Sequence, residues 1–255
     1  MTDPTQRFSS RVADYVKYRP SYPAVIIDLL KAECGLTPDS IVADVGSGTG
    51  LLAELFLKAG NRVLGIEPNR EMREAGEQLQ QGYDRFVSID ATAEATTLPD
   101  HSVDFVTAGQ SFHWFDRERV GVEFARILRS PGWLVLIWNE RRVDSTPFLR
   151  AYEQLLRTYS TEYTRVDHKL IDRDVIQAAF PAAPFKFRSF ENQQCFDLEG
   201  VKGRLMSSSY APEAGHPNHA PLMAELAAIF QQHRVNGEIV FEYDTRVNYG
   251  RLLSW

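Results

Sequence analysis

Between Ile41 and Asn139, five short runs rich in β-branched residues alternate with segments whose apolar residues recur at helical spacing. Strands joined by helices lie parallel, and a parallel sheet needs both faces covered, so this alternation confines the chain to an α/β fold with a mostly parallel sheet. The predicted strands are Ile41 to Val45, Arg62 to Glu67, Phe86 to Asp90, Val103 to Gly109 and Trp133 to Asn139. The helices between them are Leu51 to Ala59, Asn69 to Gln80 and Asp116 to Arg129. Gly60 and Gly82 stand where helices end on a left-handed residue, and Pro131-Gly132 punctuates the turn into the fifth strand. An earlier helix, Ala24 to Cys34, opens after Ser21 and Pro23, closes at Gly35, and is expected to pack on the sheet.

After Asn139 the alternation lapses. Helical Phe148 to Tyr159 and a short helix near Asp174 to Ala179 precede a strand from Phe185, and a last strand begins near Glu238. Between these two strands lie helical stretches Leu198 to Ser208 and Pro221 to Arg234, where a tight hairpin would suffice to close the sheet. Insertions of that length are commonly functional covers, and this one is read as a substrate lid. The 255 residues suit one domain with additions: an arm and cap helix to residue 39, a core from 40 to 140, and a C-terminal half of the sheet with lid insertions from 141 to 255.

Chemistry enters at Val42-Ala-Asp-Val-Gly-Ser-Gly-Thr-Gly50, an apolar strand that runs into three glycines and then a helix. Glycines there let the backbone approach a ligand at the carboxyl edge of the sheet, where open α/β folds bind nucleotides. A dinucleotide fingerprint would place its third glycine where Leu51 stands, and a phosphate loop would continue into Gly-Lys-Ser or Gly-Lys-Thr, which this chain does not do. The loop therefore suits a phosphate-free ligand. Glu67, ending the second strand, is placed to accept both hydroxyls of a ribose, unless it merely caps the helix that follows.

VADVGSGTG, followed by IEPN, TAE, VDFV and RILRSPGWLVL, resembles the class I S-adenosylmethionine-dependent methyltransferases. YVKYRPSYP near the start and FHWFD after the fourth strand are similar to the group that includes trans-aconitate methyltransferase-like proteins. The resemblance implies a doubly wound, Rossmann-like sheet of seven strands, the last antiparallel, with helices on both faces. It implies S-adenosylmethionine as cofactor, S-adenosylhomocysteine as product, and a small-molecule methyl acceptor. By the same resemblance Asp44 orients the loop and the methionyl ammonium, while Gly46, Ser47, Gly48 and Gly50 line the methionine. Glu67 holds the ribose, Pro68 and Met72 contact the adenine, and Thr92, Ala93 and Glu94 read its edge. Gly109 and Gln110 face the methionine end, and Arg19 is the expected carboxylate partner. The family often has Asp where this chain has Thr92, and a second glycine where it has Trp133.

Methyl transfer from a sulfonium needs positioning more than covalent help, because the leaving group is neutral. If the acceptor is a hydroxyl or amine, His113 is the imidazole nearest the reacting corner in sequence and the candidate catalytic base. If it is a carboxylate, a basic anchor is expected instead, with Arg141, Arg142 and Arg204 considered and read as solvated charges. Tyr15, Tyr18 and the aromatics Phe112 to Phe115 are candidates for cation–π contact with the sulfonium or for simple core filling. The other histidines, His168 among them, carry no metal-ligand spacing. Two alternatives stand beside this reading: a nicotinamide-dependent oxidoreductase and a non-catalytic S-adenosylmethionine-binding protein.

The formal net charge of −6, with no dense basic stretch, speaks against a nucleic-acid substrate. Two cysteines without paired spacing speak against a disulfide framework or zinc. The apolar runs are too short to span a membrane, and the beginning of the chain lacks a signal-like core, so a cytoplasmic protein is expected.

Overall fold

The computed structural model describes residues 12–161, 163, 173–181 and 183–252. Seven strands form one sheet: β1 (Ile41–Val45), β2 (Arg62–Ile66), β3 (Phe86–Ile89), β4 (Val103–Gly109), β5 (Leu128–Arg141), β6 (Phe185–Phe196) and β7 (Ile239–Leu252). Their order is β3-β2-β1-β4-β5-β7-β6. β3, β2, β1, β4 and β5 pair in parallel, and β7 runs antiparallel between β5 and β6. The expected seven-stranded, doubly wound sheet with an antiparallel last strand is the architecture found.

Both faces are buried. On one, Ala43, Val45, Ile66 and Val106 pack with Phe124 and Ile127 of α5 (Arg117–Ile127). On the other, Val42, Val63 and Phe105 pack with Leu52 and Phe56 of α3 (Leu51–Lys58), and with Ile26 and Leu30 of α2 (Val25–Cys34). The alternation of Val42 and Ala43 between two cores is the period-2 pleat at work. Helix α4 (Arg70–Gln80) starts at Asn69, whose side chain accepts from the Met72 amide at 2.9 Å.

Element edges differ from expectation in instructive places. α5 stops at Ile127 and β5 begins at once at Leu128, five residues before the predicted strand, because Leu128 pairs with Val103 ahead of an irregularity in the register. Gly60 closes α3 with φ +91°, whereas Gly82 does not take the left-handed conformation expected of it. Helix α1 (Val12–Tyr18) was not foreseen; it packs on the late insertion, where a Cβ added to Gly203 would lie 2.0 Å from the Tyr18 ring.

The long β5, β6 and β7 carry the sheet past its nucleotide-type half. Their outer ends meet a third apolar cluster, in which Phe241 and Tyr243 pack with α6 (Pro147–Tyr159), α8 (Leu198–Met206) and α9 (His219–His233). A short α7 (Arg173–Ala179) covers the α5 side. Segments Pro20–Ser21 are tied to the sheet by the Asn139 amide, at 3.3 and 3.2 Å, and by Asn192 at 2.8 Å.

Candidate functional site

At the carboxyl ends of β1, β2 and β4 the chain leaves an open cavity of about 160 Å³. It lies where the strand order reverses, between β1 and β4, so the two flanking loops diverge and leave a crevice. Gly46 and Gly48 form its floor, with φ of +65° and +55°. A Cβ on Gly46 would sit 2.6 Å from the Ser111 Cβ, so only glycine fits there.

Glu67 stands at the other wall, nearly buried. Its Oε2 accepts from the Gly48 amide at 2.8 Å and its Oε1 from the Asn69 amide at 2.9 Å. Burial raises its pKa above the ordinary carboxylate value, and these two amides pull it back. Glu67 thus ties the glycine loop to the start of α4, and lone pairs on both oxygens remain for further donors. The expectation of capping is met in part: the amide of Asn69 is satisfied by Glu67, while the Met72 amide is capped by Asn69.

The remaining wall is built by Pro68, Met72, Thr92, Ala93, Glu94, Gly109 and Gln110, all of them expected. Glu94 is held by the Asp116 amide at 3.0 Å, and Gln110 by the Asn139 carbonyl at 2.9 Å. Gln110 has φ +59°, a left-handed conformation costing a non-glycine residue about 1–2 kcal/mol, fixed here by its amide bond to the Ile137 carbonyl. Tyr15, Trp114 and Phe115 add aromatic surface, as two of the three aromatic segments considered in the sequence would place them.

Four expected residues lie off this wall. Ser47 faces β2, its Oγ 3.1 Å from where a Cβ of Gly65 would lie. Gly50, with φ +82°, is the N-cap of α3 and is crowded by Gln80. Arg19 is half-buried against the late insertion, its Nη2 donating to the Ser207 carbonyl at 2.8 Å. Asp44 shares the Val42 face of β1 and is closed off beneath the loop, its Oδ1 accepting from the Thr107 hydroxyl at 2.9 Å and its Oδ2 buried without a partner.

Burial lifts the Asp44 pKa from 3.8 to about 7, against the lowering effect of the Thr107 hydroxyl. The unfolded chain releases this proton near the ordinary value and the folded chain holds it, so folding stability falls as pH rises from about 4 to about 7. Asp44→Asn is expected to flatten that decline, by an amount on the order of a few kcal/mol. Denaturant unfolding of both proteins at pH 5 and pH 8 checks it; parallel pH dependence in the two would refute the assignment.

His113 sits in a 3-10 turn, Phe112–Trp114, half-buried with its ring 4.6 Å from that of Trp114; it does not line the cavity. Two of the three arginines read as solvated are not. Arg204 is 6% exposed, and Arg141 is buried and paired with Glu153 at 2.7 Å. Only Arg142, paired with Asp244 and Glu191, keeps partial exposure. His168 lies outside the described residues. Asn69 and Ser111 line the cavity and were missed. Asn69 had a signal, an amide side chain at a helix start two residues after the acid. Ser111 had none, since its bond to the Val45 carbonyl joins positions far apart in the chain. Among the described residues, no cluster of His, Cys, Asp or Glu could hold a metal, and no helix is long and apolar enough to cross a membrane.

Comparison with known proteins agrees with this geometry. Residues 43–136, from β1 into β5, match the methyltransferase domain family. An uncharacterized methyltransferase of Mycobacterium tuberculosis is 37% identical over 139 residues, 54% of each chain, so the match spans about half the length of that relative. A methyltransferase-like protein of Schizosaccharomyces pombe is 31% identical over 227 residues, covering 87% of this chain and 85% of that one. A structure from Anaeromyxobacter dehalogenans named for a type II methyltransferase superposes with a TM-score of 0.67 at 22% identity, over 93% of this chain and all of that one, a likeness of fold. A relative alike along most of its length, and a domain match that runs from β1 into β5 of this sheet, place the chain in the methyltransferase family.

Proposed function

We propose that this protein transfers a methyl group from S-adenosylmethionine to a small organic acceptor, a carboxylate or a hydroxyl compound, under a cover formed by α1, α8 and α9. The observation that carries this reading is the pairing of Gly48 with Glu67 across one cavity: backbone open to close approach on one side, an acid with free lone pairs on the other.

The residues present fit such a cofactor. Gly46 and Gly48 line the cavity with bare backbone, and no lysine stands in the loop to meet a phosphate. Glu67 would accept from the ribose hydroxyls. Pro68, Met72 and Ala93 would sandwich the adenine, with Thr92 and Glu94 at its polar edge. Gln110 and Gly109 would flank the methionine. Arg19, whose buried Nε has no partner, would meet the methionyl carboxylate, with Asp44 acting beneath the loop rather than on the ligand. Bound S-adenosylmethionine supplies a methyl on a sulfonium whose leaving group is neutral.

The protein's own part is to align and to exclude water. Tyr15, Trp114 and Phe115 line the cavity, aromatic rings that would attract a sulfonium by cation–π interaction of about 0.5–2 kcal/mol. The Tyr22 hydroxyl, buried 2.6 Å from where a Cβ of Gly109 would lie, closes the methionine end. A carboxylate acceptor arrives already ionised and asks for no base. A hydroxyl acceptor must lose a proton, and His113 is proposed for that role only in a rotamer that brings its ring past Trp114.

Calorimetric titration with S-adenosylmethionine, S-adenosylhomocysteine and NADH, followed by transfer of labelled methyl to a metabolite mixture, tests the reading. Binding of the first two, none of the third, and a labelled product are expected. Tight binding without transfer to any acceptor would favour a binding protein, and NADH binding in place of the sulfonium would favour an oxidoreductase.

A further inference from the structure

Beyond the cofactor cavity, the late insertion buries the guanidinium of Arg204 and holds that of Arg19, half-buried, near it. Arg204, on α8, donates its Nε to the Tyr243 hydroxyl at 3.1 Å and its Nη1 to the Ser208 hydroxyl at 3.2 Å. Arg19 donates to the carbonyl of Ser207, whose hydroxyl in turn bonds the Arg204 carbonyl at 2.7 Å. Both side chains therefore converge on the turn at 207–208. Burial, and after it the neighbouring Arg204 charge, push the Arg19 pKa below its ordinary value.

Every one of these bonds goes to a neutral oxygen. Among the described residues neither guanidinium forms an ion pair, and the Arg19 Nε is buried with no partner at all. Arg141, in the same part of the fold, shows the ordinary solution, a buried arginine matched to Glu153. A buried guanidinium with no opposite charge and a second, half-buried one beside it are costly, since taking charge out of water is repaid only by a paired opposite charge.

The cofactor balances one of them: its single carboxylate is the group proposed for Arg19, and Arg204 is left unmatched. The acceptor is the remaining component, and the corner adjoins the cavity through Tyr15. The Arg19 guanidinium stacks 5.0 Å from the ring of Tyr15, and Tyr15 lines the cavity. The Tyr243 hydroxyl that holds Arg204 is itself fixed by Gln194 at 3.0 Å, so the fork is held in place before any ligand arrives.

We propose that Arg204 is the anchor for a carboxylate of the methyl acceptor, so that the substrate is an organic acid bound as its anion beside Arg19. This rests on the methyltransferase reading, and it deepens that reading by naming the substrate class. A carboxylate is also what the cofactor carries, so the test must tell the two sources apart.

The experiment is thermal unfolding of the S-adenosylhomocysteine-saturated protein, with sodium succinate or sodium benzoate replacing sodium chloride at constant ionic strength, for wild type and Arg204→Met. Methionine keeps the length and removes the charge. At least one acid is expected to raise the wild-type midpoint by about 2–4 °C and to leave the variant unmoved. Without added acid, the variant is expected to melt no lower than wild type, because an unmatched buried charge has been taken away. Its affinity for S-adenosylhomocysteine stays within about twofold, whereas Arg19→Met weakens that affinity by about tenfold.

An equal response of both proteins, or no wild-type response to either acid, overturns the proposal. So does loss of S-adenosylhomocysteine affinity in Arg204→Met, which would assign this arginine to the cofactor's own carboxylate. A variant that melts well below wild type overturns it too, in favour of a structural role. If wild type fails to bind S-adenosylhomocysteine, the methyltransferase reading itself fails, and the calorimetric arm shows this before any acid is added.

Discussion

Glu67→Ala is expected to weaken S-adenosylhomocysteine binding by about two to four orders of magnitude. The two ribose hydroxyls would each donate to one carboxylate, and hydrogen bonds to a charged group contribute about 1.5–3 kcal/mol apiece. The same substitution frees the Gly48 and Asn69 amides that the carboxylate now accepts from, so the glycine loop also loses the brace that holds it against α4. Glu67→Gln separates the two contributions. It keeps one acceptor oxygen for the Gly48 amide but replaces the charge, and an intermediate loss of about tenfold to a hundredfold is expected. Calorimetry on the three proteins, with circular dichroism to confirm that each is folded, measures the effect. An affinity for Glu67→Ala within about threefold of wild type would remove the ribose from this wall.

Gly46→Ala is the second large effect, and it falls on folding as well as binding. Alanine at φ +65° costs about 1–2 kcal/mol, and its Cβ would meet the Ser111 Cβ at 2.6 Å and Oγ at 2.9 Å. Overpacking of that kind adds about 1–3 kcal/mol, for a destabilisation of about 2–5 kcal/mol in denaturant unfolding. A double variant with Ser111→Gly should recover the steric part and leave the backbone part, a coupling of the size contacting residues show. Gly48→Ala makes the contrast: it meets only the flexible end of Met72, at 3.2 Å, so its cost is mainly that of φ +55°. If Gly46→Ala folds as stably as wild type, the loop conformation described here is wrong.

These two positions were legible in the sequence because their constraints are local. A glycine at a forced left-handed turn and an acid at a strand tip are fixed by a few neighbouring residues, and the βα period supplies the frame. The off-wall placement of Asp44 follows from the same frame by strand parity: it lies on the Val42 face, buried beneath the loop. Arg204 could not be read this way. Its burial depends on Tyr243, 39 positions away on a strand whose pairing with β5 no local pattern specifies. α1 and the early start of β5 were missed for like reasons: one is held by packing on α8, the other by the register of β4. The half of the fold built from local periodicity was thus predictable, and the half that covers the acceptor was settled by long-range packing.

A crystal structure of the protein grown with S-adenosylhomocysteine tests the central claim most directly. The account predicts the adenosyl group over Gly46 and Gly48, with both ribose hydroxyls within about 3 Å of the Glu67 carboxylate. Density for the ligand at any other place, or a ribose turned away from Glu67, would contradict it.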